Sequence, residues 1–468
     1  MKPNATALTE GPIATTLYRF ALPILLGNVL QSLNGSVNSV WVGKFLGPAA
    51  LTATSNANTV LFLLLGGAFG VAMAATILVA QYAGARRLED ARRVVGASAA
   101  FFGAVSLVLA LAGTVAADPL LEWMRTPADA VPLARAYLRL IFAALPFLYL
   151  YTYVMAVLRG AGDSRTPFRF LILSVGLDIA LNPLFIFGLG PLPALGIAGS
   201  ALATLIANAV SLAALVAYLY RTGNPLCLRG AELRYLRFDG TIIATLLRKG
   251  LPMGLQMVLL SANAVVMISL VNRFGSATTA AYGASWQLWN YVQMPAFAIG
   301  AAVSSMAAQN VGAGHWERVA RTARTGVAFS CVATGAAVLL LLLVDAPALR
   351  LFLSDQATIE IARHINRVVS PSWVLFGISM VLFGVVRSTG AVLPPLVVLF
   401  IALWCVRIPF AHLMLPSRGA DAIWWSFPLA AVVSSTLAFA YYRFGGWRRA
   451  RMAPAGAPTP PPVAVEEA

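Results

Sequence analysis

Long uncharged apolar runs alternate along this chain with short segments that carry nearly all of its charge. Residues 20–43, 94–117, 140–158, 250–272, 325–344, 368–386, 388–406 and 422–442 contain no Asp, Glu, Lys or Arg. Each run is close to the ~20 residues that an α-helix needs to cross a bilayer. Three longer uncharged stretches divide at turn signals: Gly47-Pro48 within 45–85, the segment GLGPLPALG at 188–196 within 179–220, and small and Gly-rich ends within 274–314. The pattern predicts twelve helices, near 18–43, 52–80, 94–117, 134–158, 168–188, 196–220, 246–271, 278–308, 322–344, 364–387, 392–414 and 422–443.

Composition narrows the class. The 468 residues are 59% hydrophobic and 11% charged, with a mean hydropathy of +0.80, whereas soluble domains carry about a quarter charged residues. Twelve spans use roughly 240 residues, which leaves short loops and no large soluble domain. The first apolar run follows Arg19 and is long enough to span, unlike a cleavable signal. The formal charge is +16, a value that in a soluble protein would suggest nucleic acid. Here the positives lie between spans. With the N-terminus in the cytoplasm, about two thirds of the 33 Lys and Arg residues face the cytoplasm, the usual positive-inside asymmetry. The expectation is a multi-pass protein of the cytoplasmic (inner) membrane with both termini inside, surrounded by lipid and without a nucleic-acid partner. Cys227, Cys331 and Cys405 are far apart, and His315, His364 and His412 make no ligand spacing. Neither a disulfide framework, a resident metal nor an organic cofactor is expected. The chain is expected to act as a monomer.

The two halves repeat each other. Leu22-Pro23 matches Leu251-Pro252, and in the same register Asn34 falls on Asn263, Lys44 on Arg273 and Phe45 on Phe274. One residue out of that register, Ala80-Gln81-x-x-Gly84-Ala85 matches Ala308-Gln309-x-x-Gly312-Ala313, Glu89 and Arg93 match Glu317 and Arg321, and Arg159, Gly162 and Pro167 match Arg387, Gly390 and Pro395. Six spans in each half make the repeat parallel, with a pseudo-two-fold along the membrane normal, a transporter architecture. The division is a lobe at 1–220, a cytoplasmic linker at 221–245 that serves as a flexible link, a lobe at 246–443, and a disordered tail at 444–468, basic and then Pro-rich.

These residues also carry a resemblance. The Leu22-Pro23 helix opening, Gln81-x-x-Gly84-Ala85, Leu158-Arg159-Gly160-x-Gly162-Asp163-x-x-x-Pro167, LNPLFIFG at 181–188 and GIAGSALAT at 196–204 resemble, in order and spacing, the MATE (multidrug and toxic-compound extrusion) family. Its prokaryotic branch related to the DNA-damage-inducible F-type proteins is the most similar. The resemblance covers residue 16 to about residue 442. It implies an all-α integral membrane fold, two six-helix lobes in a V, and export of amphipathic, often cationic organic compounds by alternating access, in antiport with H⁺ or Na⁺. The chain departs from the branch pattern. Where many members have Asp in helix 1, it has Asn38, and where they have Asn and then Asp four residues on in helix 5, it has Asp178 and then Asn182.

Charge at the bilayer centre is costly and marks functional positions. Only Asp178 in helix 5 and Arg407 in helix 11 fall deep within predicted spans. Asn182 is one turn from Asp178, on the same face, and Pro183 breaks the backbone ladder beside it. Asp178, Asn182, Asn38 and Thr204 form the candidate ion-coupling set, able to take H⁺ or, through neutral oxygens around one carboxylate, Na⁺. Gln31 and Asn34 of helix 1 and Asn208 of helix 6 are placed in the substrate cavity. So are Tyr149 and Tyr153 of helix 4, Asn263 of helix 7, and Trp286 and Gln287 of helix 8, whose aromatic faces suit cations. Amides and hydroxyls in spans also serve as plain helix-to-helix glue. Arg407, read in the place of Asn182 in the repeat, either satisfies polar groups of its own lobe or meets Asp178 or an anionic substrate group. Trp41, Trp123, Trp424 and Trp425 are read as membrane-interface anchors.

The leading function is a secondary-active multidrug exporter. A flippase of lipid-linked saccharides is the alternative, but it would line its cavity with several positives for pyrophosphate, and Arg407 alone is available. A membrane enzyme would need a catalytic His, Asp or Glu cluster near a surface, and the sequence offers none. For the topology, single cysteines at Gly223 and at Gly190 should react with an impermeant maleimide from opposite sides of the membrane. Labelling of both from outside would sink the model.

Overall fold

Hydrocarbon offers a backbone amide no water to bond, so a spanning segment must satisfy its polar groups internally. The computed structural model, which describes residues 8–188 and 193–452, meets that demand with helices, and no strand occurs among the described residues. The first half runs α1 (Ile13–Phe45), α2 (Gly47–Gly84), α3 (Leu88–Trp123), α4 (Val131–Gly160), α5 (Arg165–Phe187) and α6 (Ile197–Arg221). The second runs α7 (Gly240–Val271), α8 (Ser276–Gly312), α9 (Trp316–Leu343), a short α10 (Asp345–Leu349), α11 (Gln356–Val369), α12 (Ser372–Arg387), α13 (Leu393–Phe400), a π-helical stretch Ile401–Arg407, α14 (Ile408–Arg418) and α15 (Asp421–Phe444).

Among the described residues eleven helices are long and apolar enough to cross a membrane, or twelve when α11 and α12 count as one span bent by 43°. The predicted straight helix at 364–387 is therefore corrected to a broken one. Pro371 lies at the bend, where it cannot donate to the ladder and crowds the preceding turn. Leu107, Val108, Leu111 and Val115 form an exposed stripe along α3, the last 82% exposed. Contiguous exposed apolar surface of this kind suits lipid.

The predicted repeat recurs at element ends. α2 ends at Gly84 and α8 at Gly312, each capped by the alanine that follows. Glu89–Arg93 and Glu317–Arg321 form matching ion pairs one turn apart.

Two compact units emerge. Among the described residues the first comprises Leu26–Gly250; the second comprises 8–25 and 251–452. The division differs from the one expected at 220 and 246: the first part of α1 belongs to the second unit, and the first part of α7 belongs to the first. In the second unit, Leu8, Leu17, Phe20 and Ile24 join Val303, Met306, Val385 and Trp447 in one apolar cluster. Gln309 accepts from the Leu8 amide at 3.3 Å, and Asn310 donates to the Leu8 carbonyl at 3.1 Å.

The linker expected to be a flexible link and the basic part of the tail expected to be disordered both carry ordered turns where described. The linker at 221–245 folds onto α3: Gly230–Tyr235 forms a 3₁₀ turn, Arg92 pairs with Glu232, and the Tyr235 hydroxyl donates to Glu89 at 3.0 Å. The basic part of the tail is docked, with Trp447 only 2% exposed and its carbonyl accepting from Thr389 at 2.8 Å. The Pro-rich part, and Gly190, lie outside the described residues. Trp424 is also corrected. It is 1% exposed and stacked on Tyr282 at 5.8 Å, a core residue rather than an interface anchor.

Small residues bring helices together where no hydrophobic drive separates protein from lipid. A Cβ on Gly384 of α12 would lie 2.7 Å from the Gly300 carbonyl of α8. Gly384→Val should therefore push α8 and α12 apart and cost about 1–3 kcal/mol, read as a fall in melting temperature of the purified protein. A melting temperature equal to wild type would refute this account of the contact.

Candidate functional site

Asp178 lies near the middle of α5, in the first unit, and is 3% exposed. The sequence brings three neighbours to it. Asn34 and Asn38 are one turn apart on α1, so both side chains leave the same face. Their amides donate to the same carboxylate oxygen, Asp178 Oδ2, at 2.9 and 2.8 Å. Thr204 of α6 donates its hydroxyl to Oδ1 at 2.9 Å. The carboxylate thus accepts three hydrogen bonds from two other helices. This is how a buried charge is tolerated away from water.

Asn182 closes the cluster. Its Nδ2 donates to the Asn38 side-chain oxygen at 3.1 Å and to the Asp178 backbone carbonyl at 2.8 Å. Asp178, Asn182, Asn38 and Thr204 are therefore together, as expected. Asn34, placed in the substrate cavity from sequence, belongs to this cluster instead. Two acceptors are left over: the side-chain oxygens of Asn34 and Asn182 are buried and have no partner. The cluster thus has one carboxylate and two spare neutral oxygens, a composition that suits a proton or a small hard cation.

The second unit holds a counterpart. Asn263 of α7 is the repeat partner of Asn34, and it accepts from Arg407 Nη1 at 2.9 Å. The Asn34–Asp178 and Asn263–Arg407 pairs have the same sequence separation, 144 residues. Arg407 therefore stands in the place of Asp178, not of Asn182 as the nearby Pro409 suggested by its likeness to Pro183. The missed signal is the π-helical stretch Ile401–Arg407. Wider turns of this kind accommodate an added residue. One extra residue between Pro395 and Arg407, compared with Pro167 to Asp178, returns the repeat to its opening register.

The remaining cavity candidates separate. Tyr149 and Tyr153 are buried core residues. The first hydroxyl donates to the Leu64 carbonyl at 2.9 Å, and the second bonds Ser98 and the Val95 carbonyl. Both are corrected to helix-packing roles. Asn208 donates to the Thr204 carbonyl at 2.8 Å and supports the residue that holds Asp178. Gln31 and Gln287 are exposed, and nothing among the described residues brings them to Asp178. Trp286 lies against Tyr282 and Trp289 at 6.1 and 6.3 Å, part of an aromatic core in which the Trp289 ring N–H donates to Asn366.

The sequence reading also passed over Arg387 and Asp345. Arg387 is 9% exposed and donates to Gln256 at 3.2 Å. Buried Asp345 pairs with Arg363 at 3.1 Å. Both fall at helix ends, where their charges looked like loop charges. A cavity of about 360 Å³ in the second unit is lined by Thr278, Glu360, His364, Asp421 and Trp424 among others, none of them a predicted cavity residue. No group of three or more His, Cys, Asp or Glu residues able to hold a metal occurs among the described residues.

Comparison with known proteins gives concordant matches. The MatE family model matches residues 23–184 and again 252–413, the two copies of the repeat. The chain is 36% identical over 427 residues to the "Probable multidrug resistance protein YoeA" of Bacillus subtilis, covering 91% of this chain and 92% of that one. It is 23% identical to the "Multidrug export protein MepA" of Staphylococcus aureus, over 90% and 91% of the two chains. Among solved structures, an outward-facing multidrug resistance MATE family transporter superposes with a TM-score of 0.86 at 22% identity, covering 95% of this chain and 98% of that one. A mutant of the Vibrio cholerae MATE transporter VcmN does so with a TM-score of 0.85 at 20% identity, covering 92% and 96%.

The reassignment of Tyr153 can be checked. Tyr153→Phe should leave efflux by the reconstituted protein unchanged and cost about 1–3 kcal/mol of stability, since it removes two buried hydrogen bonds. A clear loss of transport at unchanged stability would return Tyr153 to the cavity.

Proposed function

This chain belongs to the MATE family of membrane transporters, and on that premise we propose that it exports amphipathic, often cationic organic compounds. The export is driven by inward flow of H⁺ through the Asp178 cluster. The protein sits in the cytoplasmic membrane with both termini inside, and substrate crosses by alternating access.

One observation carries the coupling role: a mid-span carboxylate held by three donors from α1 and α6, with two unpartnered amide oxygens beside it. A carboxylate used only as glue would need no spare acceptors. Protonation of Asp178 turns one of its oxygens from an acceptor into a donor. Asn34, Asn38 and Thr204 then face a hydroxyl instead of a charge, and at least one of them loses its acceptor. The two asparagines can answer by turning their amides, which presents an oxygen where a nitrogen had been. The hydrogen bonds that tie α1 to α5 and α6 are thereby rearranged by one proton. Loss of the charge also removes the attraction for a cationic substrate. Proton entry and drug release are linked by competition for the same negative charge.

Na⁺ is the second reading, and the same two spare oxygens favour it. With the Asp178 carboxylate and the Thr204 hydroxyl they provide an all-oxygen set. The proton is preferred because it needs only the carboxylate, whereas a hard cation needs several oxygens around it, and Asn34 and Asn38 turn their N–H groups to Asp178.

Asp178→Asn keeps the side-chain shape and removes the charge. Reconstituted into liposomes, it should fold normally, because a buried amide is cheaper than a buried charge. Efflux of a fluorescent cation should fall nearly to zero under separately imposed pH and Na⁺ gradients, whereas wild type should respond to the pH gradient. Wild-type pumping by Asp178→Asn would place coupling elsewhere, and a wild-type response to the Na⁺ gradient alone would select the second reading.

A further inference from the structure

The place that Asp178 fills in the first repeat is filled in the second by a charge of opposite sign, and the surroundings invert with it. Arg407 is 8% exposed, lies near the middle of the span Leu393–Arg418, and has no carboxylate partner among the described residues. Its guanidinium lies against the Phe427 ring, with Cζ 3.4 Å from the centroid. Stacking occupies a face and leaves the N–H edges for in-plane partners. Nη1 is taken by Asn263, whose own Nδ2 donates to the Leu403 carbonyl at 3.2 Å. Nε is buried without a partner, and no hydrogen bond leaves Nη2 among the described residues. The hydroxyl of Tyr282, 3% exposed, is also unpartnered, and its ring packs on Trp289, which packs on the Phe427 ring that carries the guanidinium.

The leftover atoms of the two sites differ in kind. Beside Asp178 they are oxygens that lack a donor; beside Arg407 they are an N–H and an O–H that lack an acceptor. A charge buried in a span without compensation is unfavourable, and so is a buried donor with nothing to bond. One negative ligand answers both. The Nε and Nη2 edge is the edge of a guanidinium that grips a carboxylate through two parallel hydrogen bonds.

We propose that Arg407 and Tyr282, backed by Asn263 and Phe427, form a binding site for a monovalent anion within the second unit. The negative group is either chloride from the medium or the carboxylate of an organic substrate. The proposal does not depend on the coupling role of Asp178.

The test is an equilibrium one, so it stands or falls apart from transport. The full-length protein, purified in detergent and sodium sulfate, whose anion is divalent, is melted while sodium chloride or sodium octanoate replaces the sulfate at constant ionic strength. Octanol serves as the uncharged control. A ligand at free concentration c that binds only the folded state stabilises it by RT ln(1 + c/Kd), so the melting temperature climbs with the logarithm of its concentration above Kd. At least one of the two anions should raise it by several degrees. The rise should vanish in Arg407→Gln, weaken at least tenfold in apparent affinity in Tyr282→Phe, and persist in Asp178→Asn. A response to chloride alone assigns the site to the inorganic ion. A response to octanoate but not to octanol assigns it to a substrate carboxylate. No rise in wild type, or an equal rise in Arg407→Gln, overturns the proposal. Should Arg407→Gln fail to fold, Tyr282→Phe and Arg407→Lys decide the matter, and wild-type affinity in both overturns it.

Discussion

A carboxylate inside hydrocarbon survives only if hydrogen-bond donors replace its water, and the three donors on Asp178 constrain much of the first unit. Asn34 and Asn38 must sit one turn apart on a single face of α1, and Thr204 must approach from α6. Both requirements act on α5 at one point. The apolar faces of α5 and α6 alone would leave these helices free to rotate, since lipid tails compete evenly with Leu and Val for an apolar face. Polar bonds fix a rotation that packing alone leaves loose. The element that sets the geometry of the site is thus the same element that carries its charge, so a change of protonation reaches the helix arrangement directly.

Much of this was legible in the sequence because it rests on length and spacing. Uncharged runs about one bilayer long mark the spans, and the repeat is read from matched motifs such as Gln81-x-x-Gly84-Ala85 and Gln309-x-x-Gly312-Ala313. Asp178 is conspicuous as an acid in mid-span, and Asn182 follows from helical geometry, whereas Thr204 was only one of several polar oxygens on other spans. Other features were hidden for physical reasons. Tyr149 and Tyr153 have the look of cavity residues, but a tyrosine hydroxyl is as readily bonded to a buried carbonyl on a neighbouring helix, and only the packing of α4 on α2 and α3 decides between the two. Arg387 and Asp345 stand at helix ends, where sequence cannot separate a solvated charge from a buried one. The break at Pro371 fell inside an uncharged run that read as continuous.

The most instructive miss concerns Arg407. An α-helix advances in fixed steps, so a one-residue difference between repeats rotates everything beyond it by about 100°. The π-helical stretch absorbs that residue within one wide turn and lets the downstream helix resume its angle. Asn263 then meets position 407 as Asn34 meets position 178, although the two partners are a base and an acid. The amide makes this possible, since one end donates and the other accepts. Asn34 presents its nitrogen to a carboxylate and Asn263 presents its oxygen to a guanidinium. A duplicated scaffold has kept its pairing geometry while the sign of the charge reversed.

Both ends of the described chain are anchored in one apolar cluster, where Leu8 and Trp447 share neighbours on α8, α9 and α12. The partners of Leu8, Gln309 and Asn310, lie 301 and 302 residues further along. A ribosome makes Leu8 among the first residues and Trp447 among the last of those described, at about 5–20 residues per second. The N-terminal segment must therefore wait tens of seconds, through the insertion of at least seven helices, before its binding surface exists. The cluster of the second unit that holds Leu8 cannot be complete before Asn310 and Trp447 have been made. Closure of this long loop, rather than the formation of any single helix, is what completes the apolar cluster of the second unit.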